Sequence, residues 1–525
     1  MQAICSSCIL IVSVTFVLGS LNIMQPSTIS EILEVGASDS VALTAPNRLP
    51  LSYSGLRTHC KRLVRQLASQ GLSNKSRVAI VMPNGPEMAT AFLAVASHMS
   101  AAPLNPSYKE SEYEFYLEDL KPAMVIVAEN SENPVIGVAE RLSIPVVEAK
   151  VKDGSPAGVF ELFESEENIS PSDVDMEALV LHTSGTTSRP KVVPLLQRNI
   201  AASVQNIASS IGLVSADHCL NIMPLFHIHG LIAVLTTSVS KGASVCCLPG
   251  FNAIRFLDMA VEEKITWFSG VPTMHQALLL RAKRNIQKCR DLQLRLIRSS
   301  SASLPPAVFE ELNKIFACPI VEAYGMTEAA HQMTSNPLGA NMQKAGFVGI
   351  ITSPAVCIMD QNGEQKQSGE EGEVCIKGDN VTPGYENNPE ANLTSFTDGW
   401  FRTGDQGLID GDGYLKITGR LKEIINRGGE KISPLEVDNV LMDHPAIQQV
   451  VTFAVNDTML GEEIGAAIIL QNNAELTKKE LLEYASEKLA KFKIPKHICF
   501  VDEIPKGSTG KLQRIGLAKK LGFEN

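Results

Sequence analysis

The sequence predicts an α/β protein with more than one domain. Its 525 residues exceed what one hydrophobic core usually accommodates. Up to about residue 347, short apolar runs alternate with amphipathic segments, and this alternation is typical of parallel sheets covered by helices. After that point, short strands and glycine-rich turns follow one another closely. We therefore predict a large N-terminal domain of stacked mixed sheets with helices and a small β subdomain, followed by an α+β C-terminal domain.

The chain begins with an apolar leader of ambiguous status, residues 1–24. It contains no charged side chain, and the first Lys or Arg of the protein is Arg48. Residues 9–18 are long enough for the apolar core of a signal peptide, and the whole leader could barely span a bilayer. No basic residues precede it, so the usual orientation signal is missing. We expect a cytoplasmic protein, with membrane association or entry into the secretory pathway through residues 3–24 as the alternative.

Composition excludes several classes of protein. A hydrophobic content of 44% with 20% charged residues is ordinary for a globular protein. The net charge of −11 argues against general nucleic-acid binding. Eleven cysteines in a chain of this length do not form a disulfide framework. We expect small-molecule partners and no nucleic acid.

The elements of the large domain follow from apolar periodicity. Helices are predicted at residues 88–97 and around Ile200, Val204, Ile207 and Ile211, which share one helical face. Ligands in such folds bind at the carboxyl ends of the strands. Buried strands are predicted at residues 78–81, 124–128, 178–181, 221–223, 244–248 and 267–269.

The rest of the chain divides into two smaller units. Residues 347–417 carry short strands and glycine-rich turns, which predict the β subdomain. In the last unit we predict helices at 434–442 and 478–489 and strands at 449–455 and 466–470. We place the boundary at residues 419–422. The resulting domains are residues 25–419 and 423–525, with a hinge near 420–422.

A hydroxyl-rich loop follows the strand at 178–181, in the sequence LVLHTSGTTSRPKVV of residues 179–193. Its glycine permits close backbone approach to a ligand, and its lysine adds a point charge. Amides, hydroxyls and an ammonium suit the oxygens of an oligophosphate. The Walker pattern is absent, and on the loop alone a plain Ser/Thr turn is an equal alternative. The candidate phosphate-binding residues are Thr183, Ser184, Gly185, Thr186, Thr187 and Lys191.

Four further segments follow this loop in order. They are EAYGMTE at residues 322–328, TGD at 403–405, GRLKE at 419–423 with GGEK at 428–431, and PKGSTGK at 505–511. With the loop, they resemble the adenylate-forming (AMP-binding) superfamily of acyl-CoA synthetases, luciferases and peptide-synthetase adenylation domains, from about residue 25 to the end. The stretches LHTSGTTSRPK, MPLFHIHGL, IRSSSASL, EAYGMTEAAHQM and INRGGEKISPLEVD look most like plant and fungal oxalate–CoA ligases, which are similar to 4-coumarate–CoA ligases.

The resemblance implies an ATP-dependent acid–CoA ligase. Such an enzyme joins a carboxylate to the α-phosphate of ATP, releases pyrophosphate, and lets the thiol of coenzyme A displace AMP. Its work is to align two anions and to neutralise their charge. ATP, Mg²⁺ and coenzyme A are therefore expected, together with a C-terminal domain that moves between the two half-reactions.

The resemblance also implies roles for the nucleotide-site residues. The loop at 183–191 would hold the β- and γ-phosphates, and Thr327 would donate a hydrogen bond to the α-phosphate. Glu328 would be the Mg²⁺ ligand, because a hard cation prefers oxygen donors. Asp405 would accept hydrogen bonds from the ribose hydroxyls, with Arg420 as the nearby cation. Tyr324 and Gly325 would stack on or flank the adenine, and Glu322 and Ala323 of the same segment would also belong to the nucleotide-binding residues.

The C-terminal domain would contribute by moving. Lys511 is expected to bridge the acid and the α-phosphate during adenylation. Lys422 would be the hinge. After rotation, residues 428–431 would face the thioester site, with Gly429 leaving room for the pantetheine arm and Lys431 close by.

The acid-binding positions are polar or cationic, whereas a long-chain or aromatic acid needs an apolar pocket. A second carboxylate would require such partners, so a small dicarboxylate such as oxalate is the first hypothesis. His227 can alternatively line the coenzyme A tunnel. His227 and His229 are not interpreted as a metal pair, because no third ligand is evident. The candidate acid-binding residues are His227, Arg298, Ser300, Ser301, Ala302 and His331.

Other functions remain open from the sequence. A 4-coumarate or medium-chain fatty acid ligase shares the motifs. Val192 stands where the family usually has glycine, and Phe347 where the oxalate-ligase group has a small residue, so an impaired AMP-binding relative is a second possibility. An adenylation module serving a separate carrier protein and a luciferase-type monooxygenase are the others.

Overall fold

The computed structural model describes residues 25–183, 190–339, 341–506 and 511–523. The leader 1–24 and four loop residues named above, Ser184, Gly185, Thr186 and Thr187, lie outside them. In chain order the strands are β1 (Val41–Thr44), β2 (Leu51–Ser52), β3 (Arg77–Val81), β4 (Ser100–Pro103), β5 (Met124–Ala128), β6 (Val146–Ala149), β7 (Glu177–His182), β8 (Val192–Leu196), β9 (His218–Asn221), β10 (Ser244–Cys247), β11 (Trp267–Gly270), β12 (Leu296–Ser299), β13 (Ile320–Met326), β14 (His331–Ser335), β15 (Ile350–Ile351), β16 (Ala355–Met359), β17 (Gly372–Lys377), β18 (Phe396–Thr397), β19 (Trp400–Ile409), β20 (Leu415–Arg420), β21 (Ile425–Arg427), β22 (Glu430–Ile432), β23 (Ile447–Asp457), β24 (Gly461–Leu470) and β25 (His497–Phe500).

The helices cover one or both faces of the sheets. A π-helix, His229–Thr236, runs directly into a short α-helix. In chain order the α-helices are α1 (Ile29–Leu33), α2 (Tyr53–Ala68), α3 (Pro86–His98), α4 (Glu110–Leu120), α5 (Val135–Arg141), α6 (Gln197–Ser210), α7 (Thr237–Val239), α8 (Phe256–Glu262), α9 (Pro272–Ala282), α10 (Ile286–Asp291), α11 (Pro306–Phe316), α12 (Pro389–Ser395), α13 (Pro434–Met442), α14 (Lys478–Lys488) and α15 (Leu517–Lys520). None of those in the described ranges is long and apolar enough to cross a bilayer.

Two sheets form the large domain. In the described residues, one has the order β6-β5-β3-β4-β7-β8 and the other β15-β14-β13-β12-β11-β9-β10-β1-β2. Most neighbouring strands are parallel, and antiparallel pairs occur at the edges. Helix α3 lies between the sheets and contacts β3, β4 and β7 of one and β10 of the other. Its side chains are buried almost throughout, as expected for a helix covered on all sides. The α/β prediction with stacked mixed sheets is confirmed.

The β subdomain is antiparallel. Strands β16, β17, β19 and β18 pair in that order, and β20 pairs with β19. The C-terminal unit has its own sheet, β22-β21-β24-β23, with β25 parallel to β24, and α13 packs on β23. Gln449 of β23 donates a 3.1 Å hydrogen bond to Gln276 of α9 and so ties this unit to the large domain. Strand β20 ends at Arg420, and the hinge at 420–422 remains a prediction.

Two local expectations were wrong. The strand predicted at 221–223 ends at Asn221, because the side-chain oxygen of Asn221 accepts the backbone N–H of Met223 and turns the chain. Val192, compared above with a glycine of the family's phosphate loop, is instead the first residue of β8 and pairs with His182 of β7. A β-branched residue suits a strand, so Val192 needs no glycine-like freedom there.

Candidate active site

Three residues of the predicted nucleoside site meet at the end of β13. The hydroxyl of Tyr324 donates a 2.5 Å hydrogen bond to Oδ2 of Asp405. Nε of Arg420 lies 3.2 Å from Oδ1 of the same carboxylate. Burial raises the pKa of Asp405, and the Arg420 guanidinium opposes that rise. The site therefore presents one carboxylate held between a phenol and a guanidinium.

The backbone around Asp405 is held firmly. Gly404 has a φ of +74°, in the left-handed region that favours glycine, and its N–H donates to Oε1 of Glu373 at 2.9 Å. The hydroxyl of Thr403 donates to the carbonyl of Val374 at 2.8 Å and accepts the N–H of Asp405 at 3.1 Å. The TGD segment is thus a bend in β19 that turns Asp405 towards Tyr324.

Glu328 lies in a single 3-10 turn, Thr327–Ala329, directly after β13. It is 6% exposed, and its Oε1 accepts a 2.8 Å hydrogen bond from the hydroxyl of Tyr385. Burial raises the pKa of Glu328, while Tyr385, Arg420 and Lys191 favour its charged form. The carboxylate oxygens of Glu328 are donors that fit a hard cation, and the two cationic side chains nearby suit the phosphates that such a cation would accompany.

The ends of the phosphate loop are joined. The N–H of Thr183 donates to the carbonyl of Lys191 at 3.0 Å, and the N–H of Lys191 approaches Oγ1 of Thr183 at 3.3 Å. The ammonium of Lys191 lies 4.1 Å from the ring centroid of Tyr385. Burial lowers the pKa of Lys191, and the nearby charge of Lys422 lowers it further. Lys191, Lys422 and Glu328 therefore belong to one neighbourhood.

Lys511 joins the nucleotide site to the predicted acid pocket. Burial and then the charge of Arg420 lower its pKa to about 8, while Asp405 and Glu328 favour the charged form. On the acid side, burial and then Lys511 lower the pKa of His227 to about 3. The C-terminal lysine therefore lies among groups from both halves of the site.

The acid pocket is built around Arg298 on β12. Its side chain is fully buried. Nη2 donates to Oε1 of Gln332 at 2.9 Å, and Nη1 donates to Oγ of Ser269 at 3.3 Å. Nε has no hydrogen-bond partner within the described structure. Burial lowers the pKa of Arg298 to about 9.

Histidines line the same pocket. The ring of His229 lies 5.0 Å from that of His331. Nδ1 of His229 is 3.0 Å from Oγ of Ser301, and Nε2 is 2.6 Å from Oγ of Ser269. Burial lowers the pKa of both His229 and His331 well below the usual range, so both rings are neutral near pH 7. Nδ1 of His331 is buried without a partner among the described residues.

Several predicted residues support the site rather than face it. The hydroxyl of Ser300 donates to the carbonyl of Ala323 at 2.7 Å, and Ala302 is exposed. Gly325 is required sterically, because a Cβ there would lie 2.0 Å from the carbonyl oxygen of His331. Glu322 is turned inward, where its Oε1 accepts the N–H of Leu304 at 2.8 Å.

Two residues lie apart from the rest. Gly429 and Lys431 are exposed on the hairpin formed by β21 and β22. Contacts within its own domain hold the hairpin. The N–H of Gly428 donates a hydrogen bond to the carbonyl of Leu460, and Arg427 forms an ion pair with Glu463 at 2.8 Å. The structure does not bring this hairpin to Asp405 or Glu328.

Sequence reasoning missed Ser269, Gln332 and Tyr385 and considered His229 only as a metal ligand. No group of three potential His, Cys, Asp or Glu metal ligands occurs in the ranges that the structure describes. Strand register is the signal that could have identified Ser269, because Ser269 and Arg298 are register partners on neighbouring parallel strands. Such partners share a sheet face.

Comparisons with known proteins agree with this architecture. The family model described as AMP-binding enzyme matches residues 34–386, and the model of its C-terminal domain matches 436–511. An oxalate–CoA ligase of Arabidopsis thaliana is 41% identical over 505 residues, which cover 94% of this chain and 98% of that protein. An oxalate–CoA ligase of Saccharomyces cerevisiae is 42% identical and covers 84% and 86%.

Solved structures show the same overall arrangement. The crystal structure of ATP-bound MatB from Rhodopseudomonas palustris superposes with a TM-score of 0.84 at 27% identity, covering 93% of this chain and 97% of that one. O-succinylbenzoate coenzyme A synthetase from Bacillus subtilis, in complex with ATP and magnesium, gives 0.80 at 28% identity, with coverage of 94% and 99%.

Proposed function

The chain belongs to the AMP-binding enzyme family, and we propose that the acid it activates is oxalate. The reaction class itself is ATP-dependent, AMP-forming acid–CoA ligation. A carboxylate and ATP give an acyl-adenylate and pyrophosphate, and coenzyme A then gives the acyl-CoA and AMP. The relatives named oxalate–CoA ligase support the choice of acid, and the chemistry of the pocket supports it independently.

One observation carries the proposal: Arg298 is a fully buried cation whose partners are all neutral. Among the described residues, no carboxylate pairs with it. A buried charge without a counter-ion costs several kcal/mol, and proteins normally avoid it. The missing anion is supplied if the substrate itself carries a second carboxylate.

A dicarboxylate as short as oxalate suits the arrangement. Lys511 would bind the reacting carboxylate beside the nucleotide, and Arg298 would bind the distal one. Nε of Arg298 and Nδ1 of His331 are buried polar atoms without partners in the described residues, so they are available to an acid. An aliphatic or aromatic tail would instead bury apolar carbon against a guanidinium and two imidazoles.

The adenylation step follows from these positions. In our proposal Tyr324 flanks the adenine, Asp405 accepts hydrogen bonds from the ribose, and Lys191 neutralises the phosphates. Glu328 would hold Mg²⁺, which would neutralise charge on the β- and γ-phosphates. Lys511 would hold the attacking carboxylate and the α-phosphate together, and Thr327 would donate to that phosphate. For the second step we propose a domain rotation at Lys422 that brings Gly429 and Lys431 to the acyl-adenylate.

The test is a panel of acids at fixed ATP and coenzyme A, with pyrophosphate release as the readout. We expect oxalate to be preferred to malonate, acetate, 4-coumarate and octanoate. Arg298→Met should lower kcat/KM for oxalate by about 100-fold or more, because an ion pair in a buried site is lost. ATP binding by this variant should stay unchanged, which shows that the protein is folded. If oxalate is inert while 4-coumarate or a fatty acid reacts, the proposal is wrong.

The two observations that suggested an impaired AMP-binding relative concern Val192 and Phe347, and both residues have structural roles. Val192 lies in β8 outside the loop. The ring centroid of Phe347 lies 5.6 and 5.7 Å from the ammonium groups of Lys344 and Lys416. Its ring also packs edge-on against Tyr414 in the β subdomain. Val192 therefore serves as a strand residue, and Phe347 packs against the β subdomain.

A cytoplasmic location is part of the proposal. Nine cysteines of the described residues are free, as is usual in reducing compartments. The test is the distribution of a C-terminal fluorescent fusion with and without residues 1–24. We expect both fusions in the cytosol, and membrane recovery of the full chain alone would favour the anchor.

A further inference from the structure

We propose that Ser269 and His229 form a hydrogen-bond relay that turns the hydroxyl of Ser301 towards the acid as a donor. The inference rests on the proposed function, because it takes Ser301 to contact the acid. Neither Ser269 nor His229 needs to touch the substrate. They are positioning residues that act through Ser301.

The direction of each hydrogen bond in the relay is fixed by Arg298, which can only donate. Nη1 of Arg298 donates to Oγ of Ser269 at 3.3 Å. The Ser269 hydroxyl keeps its own hydrogen, which it can donate to Nε2 of His229, 2.6 Å away. Nη1 of Arg298 also approaches this Nε2 at 3.5 Å, and because a guanidinium N–H can only donate, Nε2 is placed as the acceptor.

The tautomer of His229 follows. Its ring is neutral, since burial and the charges of Arg298 and Lys511 lower its pKa well below the usual range. With Nε2 accepting, the ring hydrogen lies on Nδ1 and is donated to Oγ of Ser301 at 3.0 Å. Ser301 accepts there, and its own hydrogen is left to point into the pocket.

His229 orients a second donor. Its backbone N–H donates to Nδ1 of His227 at 3.3 Å, so in the neutral His227 ring the hydrogen lies on Nε2. The tight backbone turn that allows this needs Gly230, where a Cβ would lie 2.3 Å from the carbonyl oxygen of Pro224.

The relay makes the pocket selective by hydrogen-bond polarity. A dicarboxylate dianion has only acceptor oxygens. Ser301, His227 and Arg298 would all present hydrogens to it. If the His229 tautomer reversed, Ser301 would donate to His229 and turn a lone pair towards the acid, which would repel a carboxylate.

Ser269→Ala tests the relay without removing a residue that touches the acid. The chain offers a matched control in Ser299→Ala. Ser299 is equally buried, lies on the neighbouring strand β12, and its hydroxyl has no partner among the described residues. Because it follows Arg298 in a strand, its side chain points to the opposite sheet face. Ser269→Thr keeps the hydroxyl and serves as the conservative rescue.

We expect KM for the acid to rise about 10- to 100-fold in Ser269→Ala, with KM for ATP unchanged and kcat little affected. Ser299→Ala and Ser269→Thr should behave like wild type. The kinetics use whichever acid the panel selects, so a wrong choice of oxalate does not decide this test.

The tautomer is measured directly by ¹⁵N-histidine NMR, with His229→Gln to assign the signal. Wild type should show an unprotonated Nε2, and Ser269→Ala should gain an Nε2-protonated population. A wild-type His229 protonated on Nε2, or an unchanged acid KM in Ser269→Ala, would overturn the relay.

Discussion

The hydroxyl of Tyr324 donates a 2.5 Å hydrogen bond to Oδ2 of Asp405, and this contact joins two separate sheets. Tyr324 lies near the end of β13 of the large sheet, whereas Asp405 lies on β19 of the β subdomain. A base packed on the Tyr324 ring would therefore have its ribose next to Asp405. The geometry of the nucleoside site depends on the packing between these sheets.

Tyr324→Phe should raise KM for ATP by about 3- to 10-fold, because Asp405 loses one of the donors that orient it. The ring is kept, so adenine packing should survive and kcat should change little. The matched control is Tyr414→Phe. The hydroxyl of Tyr414 donates to the carbonyl of Met342 at 2.7 Å, a contact that does not involve Asp405. Equal KM changes in both variants would contradict the assigned contact.

Lys511→Ala should separate the two half-reactions. Adenylation, followed by exchange of labelled pyrophosphate into ATP, should fall by about 100-fold or more, since the bridge between the two anions is lost. Thioester formation from supplied acyl-adenylate and coenzyme A should largely survive. Lys506→Ala is the control, because Lys506 is an exposed lysine that pairs with Leu512 in a β-bridge just before the same loop. Equal loss of both half-reactions would refute the role of Lys511.

The pH dependence of adenylation should report Lys511. Burial lowers its pKa to about 8, so the free enzyme loses the charged form as the pH rises through that value. Since kcat/KM reports the free enzyme, kcat/KM for adenylation should fall above about pH 8. Lys511→Arg should be slower but should keep its activity to higher pH, because a guanidinium stays charged. A wild-type profile flat to pH 10 would contradict this assignment.

Contiguous motifs were predictable from the sequence, and contacts between strands were not. Tyr324, Glu328 and Asp405 lie in short segments whose residue types already indicate their chemistry. Ser269 belongs to a strand that was correctly predicted from apolarity, yet nothing local marks its hydroxyl. Its importance appears only when β11 and β12 are placed in register, which brings it beside Arg298.

The same limit applies to the direction of individual side chains. Glu322 lies in the EAYGMTE motif and was expected among the nucleotide-binding residues, whereas its strand turns the side chain inward to the N–H of Leu304. The alternation of side chains along a strand decides this, and a one-residue difference in register reverses it. Val192 was compared with a loop glycine, whereas the loop had already ended in β8.

The buried carboxyl of Glu322 should make stability depend on pH. Burial raises its pKa from 4.5 in the reference state to about 8, and Oε2 has no partner among the described residues. The folded state therefore binds more protons than the unfolded state between these values. The contribution of Glu322 to the free energy of unfolding is greatest below the pKa of the unfolded state. It declines as the pH rises towards the pKa of the folded state, by up to about 1.4 kcal/mol per pH unit.

Glu322→Gln removes this titration and keeps an oxygen for the N–H of Leu304. The stability advantage of the variant over wild type, measured by urea unfolding of the large domain, should grow from about pH 5 to pH 8 and then level off. Glu371→Gln, at an exposed carboxylate, is the control and should parallel wild type. If the difference between Glu322→Gln and wild type is constant across this range, Glu322 is ionised in the folded protein, and the raised pKa is wrong.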